Sequence, residues 1–515
     1  IHNKMKTKIL DCTLRDGGYY TNWDFDHQIV DTYLDAVNKL PIDYIEVGYR
    51  NLPSEEYMGE YGYCPVYVLK HIRETTTKKV AVMLNEKSTQ PSDLDKLLSP
   101  IVGLADMIRI AINPSNFDRA IILAKAVKSM GFEVGFNTMY MSKWKDMNFY
   151  DELYKLDGVA DLFCMVDSFG GVSPHDVKET IDIIRNAVNC PIGFHGHNNL
   201  EMGLVNTIAA IEKECDFVDA TILGMGRGAG NLKMELLLTY MNKNYNLDVD
   251  FNMLGNVISA FTPLYNKYQW GTNLPYMLAG ANSFPQKEVM SMVTNRVYSF
   301  NSIVRSLENR KSNIEDNAKF PVLEAKHYDN VIIIGGGAMA YEHLQGIKVF
   351  INQHKNHCAL IFATCRNAMY YTDIDVDKYF CLVGNEVKRL KSNVGILGKN
   401  DKCILPPYPR VLGTDVYDEY ASKTYELQKI EFTEEYQDSC TTVALQTAMN
   451  MSDKIFIIGY DGYPNGYLSD KERELTLENR KIFLCAEKFL SHKLVSLTPT
   501  LYNELKTKSL YQYIE

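Results

Sequence analysis

Residues 8–18 read KILDCTLRDGG, a short β-prone run that passes directly into Thr13, Leu14, Arg15, Asp16 and two glycines. A run of this kind, then a polar turn, then a helix-length amphipathic stretch, recurs from residue 8 to about residue 243. Eight runs carry the pattern: KILDCT from 8, YIEVG from 44, KVAVML from 79, DMIRIAI from 106, FEVGFNT from 132, DLFCMV from 161, PIGFHG from 191 and FVDATIL from 217. Between them, stretches such as DHQIVDTYLDAVNKL and FDRAIILAKAVKSM repeat apolar residues at three and four, which makes one greasy helical face. Eight β/α units in about 240 residues match a closed (β/α)8 barrel in count and size. An open doubly wound sheet is the competing arrangement.

The pattern changes after the eighth unit. Residues 246–315 hold helical stretches, among them FNMLGNVISAFTPLYNKY and QKEVMSMVTNRVYSFNSIVRSLE, and are expected to cap a barrel spanning 5–245. The polar stretch ENRKSNIEDNAKF reads as a linker. DNVIIIGGGAMAYEHLQGIKVFINQ then opens a new strand, glycine turn and helix. Further strand-like runs at ALIFAT, KYFCLV, KIFIIGY and KLVSL, with a helix at KERELTLENRKIFLCAEKFL, predict a smaller Rossmann-like α/β domain over 325–515.

Composition narrows the function classes. The 515 residues are 46% hydrophobic and 23% charged, values of a folded chain with ample core, which exclude wholesale disorder and a fibrous protein. A formal charge of -10 supplies no global cationic field for nucleic acid. No apolar run approaches a membrane span; VIIIGGGAMA at 331–340 is the nearest, short and glycine-broken. The polar start IHNKMKTK reads as a scar ahead of a native Met5, and a cytoplasmic location is expected. The 11 cysteines are scattered without a CxxC pair, which fits reduced, mostly buried thiols.

In a barrel of this kind the chemistry sits where strands end, because the loops converge there on one open face. Four strand ends carry polar cargo: the first runs into Thr13–Gly18, the second ends with Glu46, the sixth with Asp167 and Ser168, and the seventh with His195, Gly196, His197 and Asn198. Alternation along an extended segment points His195 and His197 to one side, so both imidazoles can bind one divalent ion while Asp16 supplies a carboxylate from the opposite strand. A bare HxH pair also reads as two hydrogen-bonded or surface histidines; its place opposite an RDG turn favours the metal. The oxygen and nitrogen set suits magnesium, manganese, cobalt or zinc without choosing among them; manganese or magnesium is the expected ion, with zinc or cobalt as alternatives. The planar guanidinium of Arg15 can clamp a carboxylate or enolate oxygen, or pair with Glu46, and the two roles can coexist. Around a 2-oxo acid, metal and arginine together would stabilise the enolate formed when a carbon–carbon bond is made or broken. The rival Schiff-base route needs an inward lysine at a strand end, and the nearest, Lys87, lies in a loop.

Three motifs carry a family likeness. DCTLRDGG at 11–18, HGHNN at 195–199 and GMGRGAGN at 224–231 resemble the DRE-TIM metallolyase superfamily, most closely its 4-hydroxy-2-oxovalerate aldolase-like branch, over residues 7–300. The resemblance implies that Asp16, His195 and His197 hold the metal, that Asn231 lies at or just behind it, and that Arg15 stabilises the enolate. It places Asp167 and Ser168, in VDSFGG, in a substrate-side loop, and Arg109 is grouped with them. The glutamine that acyl-CoA-using synthases of the superfamily show soon after RDG is absent from RDGGYYTNW, which argues against acetyl-CoA condensation. Characterised hydroxyoxovalerate aldolases carry an acid–base histidine where this chain has Tyr19. A phenol, with an ordinary pKa of about 10, can move that proton only if a metal or cation lowers the value. Tyr19, Tyr20 or a metal-bound water then takes the role, unless Tyr19 is pocket wall. The stretch WGTNLPYMLAGANSFPQ resembles polysaccharide-locus relatives of the branch, with Phe284 in place of their histidine and Tyr276 able to reach the mouth.

In the second domain, VIIIGGGAMA satisfies GxGxxG/A with Gly335, Gly337 and Ala340, and such a turn aims backbone N–H groups at a phosphate. A dinucleotide would need an acid at the end of the next strand, yet ALIFAT runs into Cys365, Arg366 and Asn367. The order of features resembles 6-hydroxymethylpterin diphosphokinase-like and sialyltransferase-like domains. That likeness implies a nucleotide or sugar nucleotide near Gly335, Gly336, Gly337, Asn367 and Asp461; a domain that binds nothing, or only another subunit, is the alternative.

Together these features predict a metal-dependent aldolase acting on small molecules, a 2-oxo acid and an aldehyde, without nucleic-acid or membrane partners and compatible with a homo-oligomer. The aldehyde is expected to be a sugar or sugar derivative, in keto-sugar synthesis for surface polysaccharide. The alternative is an altered barrel serving as a binding scaffold, with nucleotide or glycosyl transfer in the second domain.

Overall fold

The structure, a computed structural model, describes residues 6–294, 300–313, 319–410, 414–464 and 470–514. The chain forms two compact units, Ile1–Met290 and Ser291–Glu515.

In the first unit all eight expected runs form strands: β1 Lys8–Asp11, β2 Tyr44–Tyr49, β3 Lys79–Asn85, β4 Met107–Ile112, β5 Glu133–Thr138, β6 Leu162–Asp167, β7 Ile192–Gly196 and β8 Phe217–Ala220. They pair in sequence order as a closed parallel barrel, with Lys8–Asp11 registered against Phe217–Ala220. Closure removes both free edges that the open-sheet alternative would leave. Side-chain alternation divides the packing. Outward residues such as Ile9, Ile45, Val82, Ile110, Val134, Phe194 and Val218 join the large core beneath the helices. Inward residues, among them Leu10, Cys12, Tyr44, Met107, Leu162, Cys164 and Phe217, form a separate cluster inside the barrel.

Local signals set the helix starts. The Asp26 side chain accepts from the Gln28 amide ahead of the helix His27–Lys39, and Ser173 with Asp176 makes a capping box ahead of Pro174–Ala187. The helix Met234–Tyr245 completes the eighth β/α unit, and Phe251–Tyr268, Leu274–Asn282 and Gln286–Thr294 follow it. The unit boundary falls after Met290, so Phe300–Lys311 belongs to the second unit, and the single cap expected over 246–315 is divided. Residues 295–299 of that stretch, residues 314–318 of the expected linker, and the start at 1–5 lie outside the described residues.

The second unit is an eight-stranded, wholly parallel sheet: β9 Asn330–Ile334, β10 Cys358–Phe362, β11 Asp377–Cys381, β12 Lys402–Leu405, β13 Thr424–Glu426, β14 Ile455–Ile458, β15 Val495–Ser496 and β16 Lys506–Thr507. Its order is β13-β12-β11-β10-β9-β14-β15-β16, with apolar clusters on both faces. Sequence periodicity misses β12, β13 and β16, which are two to four residues long, too short for an alternation to repeat. Among the described residues no helix is long and apolar enough to cross a membrane. All 11 cysteines are free.

Candidate metal centre at the barrel mouth

Toward the C-terminal ends of the strands the inward positions turn polar. Arg109 is fully buried, its Nε donating to Asn137 Oδ1 (2.7 Å) and its Nη2 to Asp219 Oδ2 (2.5 Å), with Nη1 3.4 Å from Glu46 Oε2. Above it, Arg15 Nε donates to Glu46 Oε1 (2.6 Å) and Arg15 Nη1 to Asp16 Oδ1 (3.0 Å). Glu46 therefore sits between two guanidinium groups. Two arginines thus face the carboxylates of Glu46, Asp219 and Asp16.

Asp16, His195 and His197 offer ligand atoms that all lie within 4.8 Å of one another. The two rings stand 5.0 Å apart between centroids at 86°. His195 Nδ1 meets Asp219 Oδ2 at 2.8 Å, and His197 Nδ1 meets the Asp167 carbonyl at 2.7 Å. As each Nδ1–H donates, both Nε2 lone pairs are left for an ion, the arrangement in which outer partners fix the tautomer of a ligating imidazole. Burial, helped by His195, pushes His197 down to about 4, so its ring is neutral at neutral pH and its lone pair is unprotonated. Burial alone would raise Asp16, but the Arg15 guanidinium and the two imidazoles outweigh it and hold the carboxyl at about 2. Asn231 Nδ2 donates to Asp16 Oδ2 (2.5 Å), while the buried Asn231 Oδ1 has no hydrogen-bond partner. An orphaned carbonyl oxygen beside a carboxylate and two free imidazole nitrogens fits a divalent ion. A second grouping, Cys12 with His195 and Asp219, fits one less well: burial drives the Cys12 thiol far up, and Asp219 is taken by Arg109 and His195.

The other residues singled out from sequence divide. The Tyr19 hydroxyl lies 3.1 Å from that of Tyr49, and the Arg227 guanidinium sits 3.8 Å over the Tyr19 ring. Tyr20 donates to the Gly228 carbonyl (3.0 Å), and the Tyr276 ring packs beside the same glycine. Arg109, expected among substrate residues, is instead the floor of the site, its guanidinium engaged by Asn137 and Asp219 and paired with Glu46. Ser168 is likewise engaged locally, its Oγ accepting from the Tyr140 amide (2.8 Å). Asp167 is buried and turns its carboxylate to the amides of Gly171 and Val172; burial pushes it up to about 6 against those bonds.

Sequence reasoning missed Asp219, Tyr49 and Arg227. Asp219 had a signal: a lone acid inside the apolar run FVDATIL demands a buried partner. Tyr49 had none, because the register of β2 against β3 slips between Glu46 and Tyr49 and breaks the alternation.

In the second unit, Gly335, Gly337, Asn367 and Asp461 do meet, with Asn367 Nδ2 donating to the Gly335 and Gly337 carbonyls (both 2.9 Å). Asp461 Oδ2 accepts from the Met339 amide (3.0 Å), one of the donors of this turn. Gly336 lies beside Thr364 and Arg366.

A family model described as HMGL-like matches residues 105–258. The 4-hydroxy-2-oxovalerate aldolase of Carboxydothermus hydrogenoformans is 32% identical over 267 residues, which cover 49% of this chain and 76% of that protein. The enzyme of the same name from Moorella thermoacetica is 30% identical over 287 residues, 54% of this chain and 82% of its own. The crystal structure of the N-terminal domain of a Bacteroides vulgatus protein described as an aldolase is 68% identical, covers 58% of this chain and 99% of that one, and superposes with a TM-score of 0.56. With a closed parallel barrel, a buried metal-competent cluster at its mouth and these relatives, the chain belongs to the HMGL-like, DRE-TIM metallolyase family, a family of aldolase-type lyases.

Proposed function

We propose that the barrel is a divalent-metal-dependent aldolase that makes or cleaves the bond between a pyruvate-like 2-oxo acid and an aldehyde. The observation that carries this reading is the convergence of Asp16, His195 and His197, with both Nε2 atoms free and the partnerless Asn231 Oδ1 beside Asp16. These residues would hold the ion, which when bound supplies a Lewis acid for the keto oxygen of the 2-oxo acid. Arg15 bears on the same developing charge: its Nε and Nη1 are anchored on Glu46 and Asp16, and Nη2 is the donor left for an enolate oxygen. In the condensing direction the 2-oxo acid loses a proton from C3, C3 bonds to the aldehyde carbon, and the aldehyde oxygen gains a proton; cleavage runs the same steps backwards. Tyr19 is the residue we assign to proton transfer at that oxygen, with Tyr49 as its hydroxyl partner. Tyr20 and Tyr276 shape the wall of the pocket. We assign the acceptor to the sugar-type aldehydes of keto-sugar and surface-polysaccharide synthesis, a choice supported by the WGTNLPYMLAGANSFPQ segment.

Incubation with pyruvate in deuterated water tests the chemistry. Manganese or magnesium is expected to give exchange of the methyl protons, lost in Asp16→Ala and in the double change of His195 and His197 to Ala together with bound metal. Absence of exchange in the unaltered protein with manganese, magnesium, cobalt and zinc alike would favour the scaffold barrel.

A further inference from the structure

Three guanidinium groups stand at the barrel mouth. Those of Arg15 and Arg109 are matched with Asp16, Glu46 and Asp219. Arg227 is different: among the described residues no carboxylate lies within ion-pair distance of it, although it is half-buried and its charge is felt by His197. Its partner is the face of Tyr19, at 3.8 Å. A cation over a ring is held in place without spending an N–H donor, so the donors of Arg227 remain for another acceptor.

The loop that presents it is fixed. Gly224, Gly228 and Gly230 adopt φ values of +68°, +62° and +76°, and the Asn231 amide donates back to the Gly224 carbonyl (2.9 Å). Tyr20 pins the Gly228 carbonyl, and Gly226 packs so closely that a Cβ there would lie 2.5 Å from Asn231 Nδ2. Arg227 is thus a positioned, half-buried cation near His197 and Asp16, which is how a protein prepares a seat for an anion.

We propose that Arg227 receives an anionic group, a carboxylate or phosphate, carried by the aldehyde acceptor. The acceptor side follows from the neighbour: Tyr19, against which Arg227 stacks, is the group assigned to the aldehyde oxygen, while Arg15 serves the 2-oxo acid. This inference rests on the aldolase reading above and adds to it the charged group that the aldehyde acceptor carries.

Matched aldehydes test it in condensation with pyruvate: glyceraldehyde 3-phosphate against glyceraldehyde, and succinic semialdehyde against butanal. The unaltered protein is expected to favour the charged member of one pair by at least about 10-fold in kcat/KM, the pair distinguishing phosphate from carboxylate. Arg227→Gln should bring that ratio close to one, and Arg227→Lys should retain part of it. A damaged fold would lower both members equally, and that result, or an unaltered protein without preference for charge, overturns the proposal. Calorimetric binding of the same aldehydes to the metal-loaded protein gives a second readout. If pyruvate exchange fails, the aldolase reading falls, and equal binding of charged and neutral members to the unaltered protein and Arg227→Gln then sinks the anion seat separately.

Discussion

Asp219 touches no proposed ligand position of the ion, yet it orients one: its Oδ2 is shared by His195 Nδ1 at 2.8 Å and Arg109 Nη2 at 2.5 Å. Burial opposes its ionisation, and Arg109 and His195 nevertheless hold its carboxyl below the usual range, so it is charged at neutral pH. Asp219→Asn is expected to weaken metal binding about 10- to 100-fold, the usual consequence of losing an outer partner of a ligating imidazole. Metal titration checks this, and unchanged affinity would remove Asp219 from the site. Asp11 gives a pH-dependent prediction. Burial pushes it up to about 6, against hydrogen bonds from Tyr33 (2.6 Å) and Thr13 (2.9 Å). In the unfolded chain an aspartate titrates at about 3.9. Between those values the folded state binds the proton more tightly, so this contribution to stability is present at low pH and is lost as pH rises through 6. Relative to the unaltered protein, Asp11→Asn should gain on the order of 2–3 kcal/mol between pH 4 and pH 7, read by denaturant unfolding.

Elements decide what single residues cannot. Strand alternation alone places Glu46, Arg109, Asn137, His195 and Asp219 inside the barrel, and it was legible for the histidines because HxH spans one full repeat. It fails at Tyr49, where the slip of β2 re-aims a side chain toward Tyr19. The loop after β8 is a second case. Its glycines were legible as a motif, but the reason for Gly226 is a contact: a Cβ would meet Asn231 Nδ2 at 2.5 Å and Asp16 Oδ2 at 3.2 Å. Gly226→Ala is therefore expected to reduce metal binding at least about 10-fold while far-ultraviolet circular dichroism stays that of the barrel, since the side chains displaced, Asn231 and Asp16, belong to the proposed ligand set and the strands are untouched. In the second unit the turn after β9 is held by Asn367. Its loss leaves the Gly335 and Gly337 carbonyls without that donor, and Asn367→Ala should cost about 2–3 kcal/mol, visible as a lower unfolding midpoint of that unit.

At the scale of the molecule, the apolar clusters of the barrel run from Ile9 to Trp270 and those of the second unit from Leu323 to Leu510, so each unit owns its core. A fragment of residues 1–290 is expected to fold, bind metal and exchange pyruvate protons by itself, as the separate crystallisation of the Bacteroides vulgatus N-terminal domain encourages. Scanning calorimetry of the whole chain should resolve two transitions, of which only the barrel's moves upward with manganese. A single transition shared by both units would contradict independent cores.

The sequence by itself determined the barrel, its eight strands and the three ligand candidates, because these depend on local repeats: alternation, amphipathic spacing and polar residues at strand ends. Tertiary structure alone decided which carboxylate steadies which imidazole, why Arg109 is floor and Arg227 free, and that Asp461 accepts from the Met339 amide of the glycine turn. Those outcomes come from contacts between residues far apart in the chain, 24 apart for His195 with Asp219 and more than a hundred for Arg109 with Asp219 and Met339 with Asp461, which no local pattern encodes.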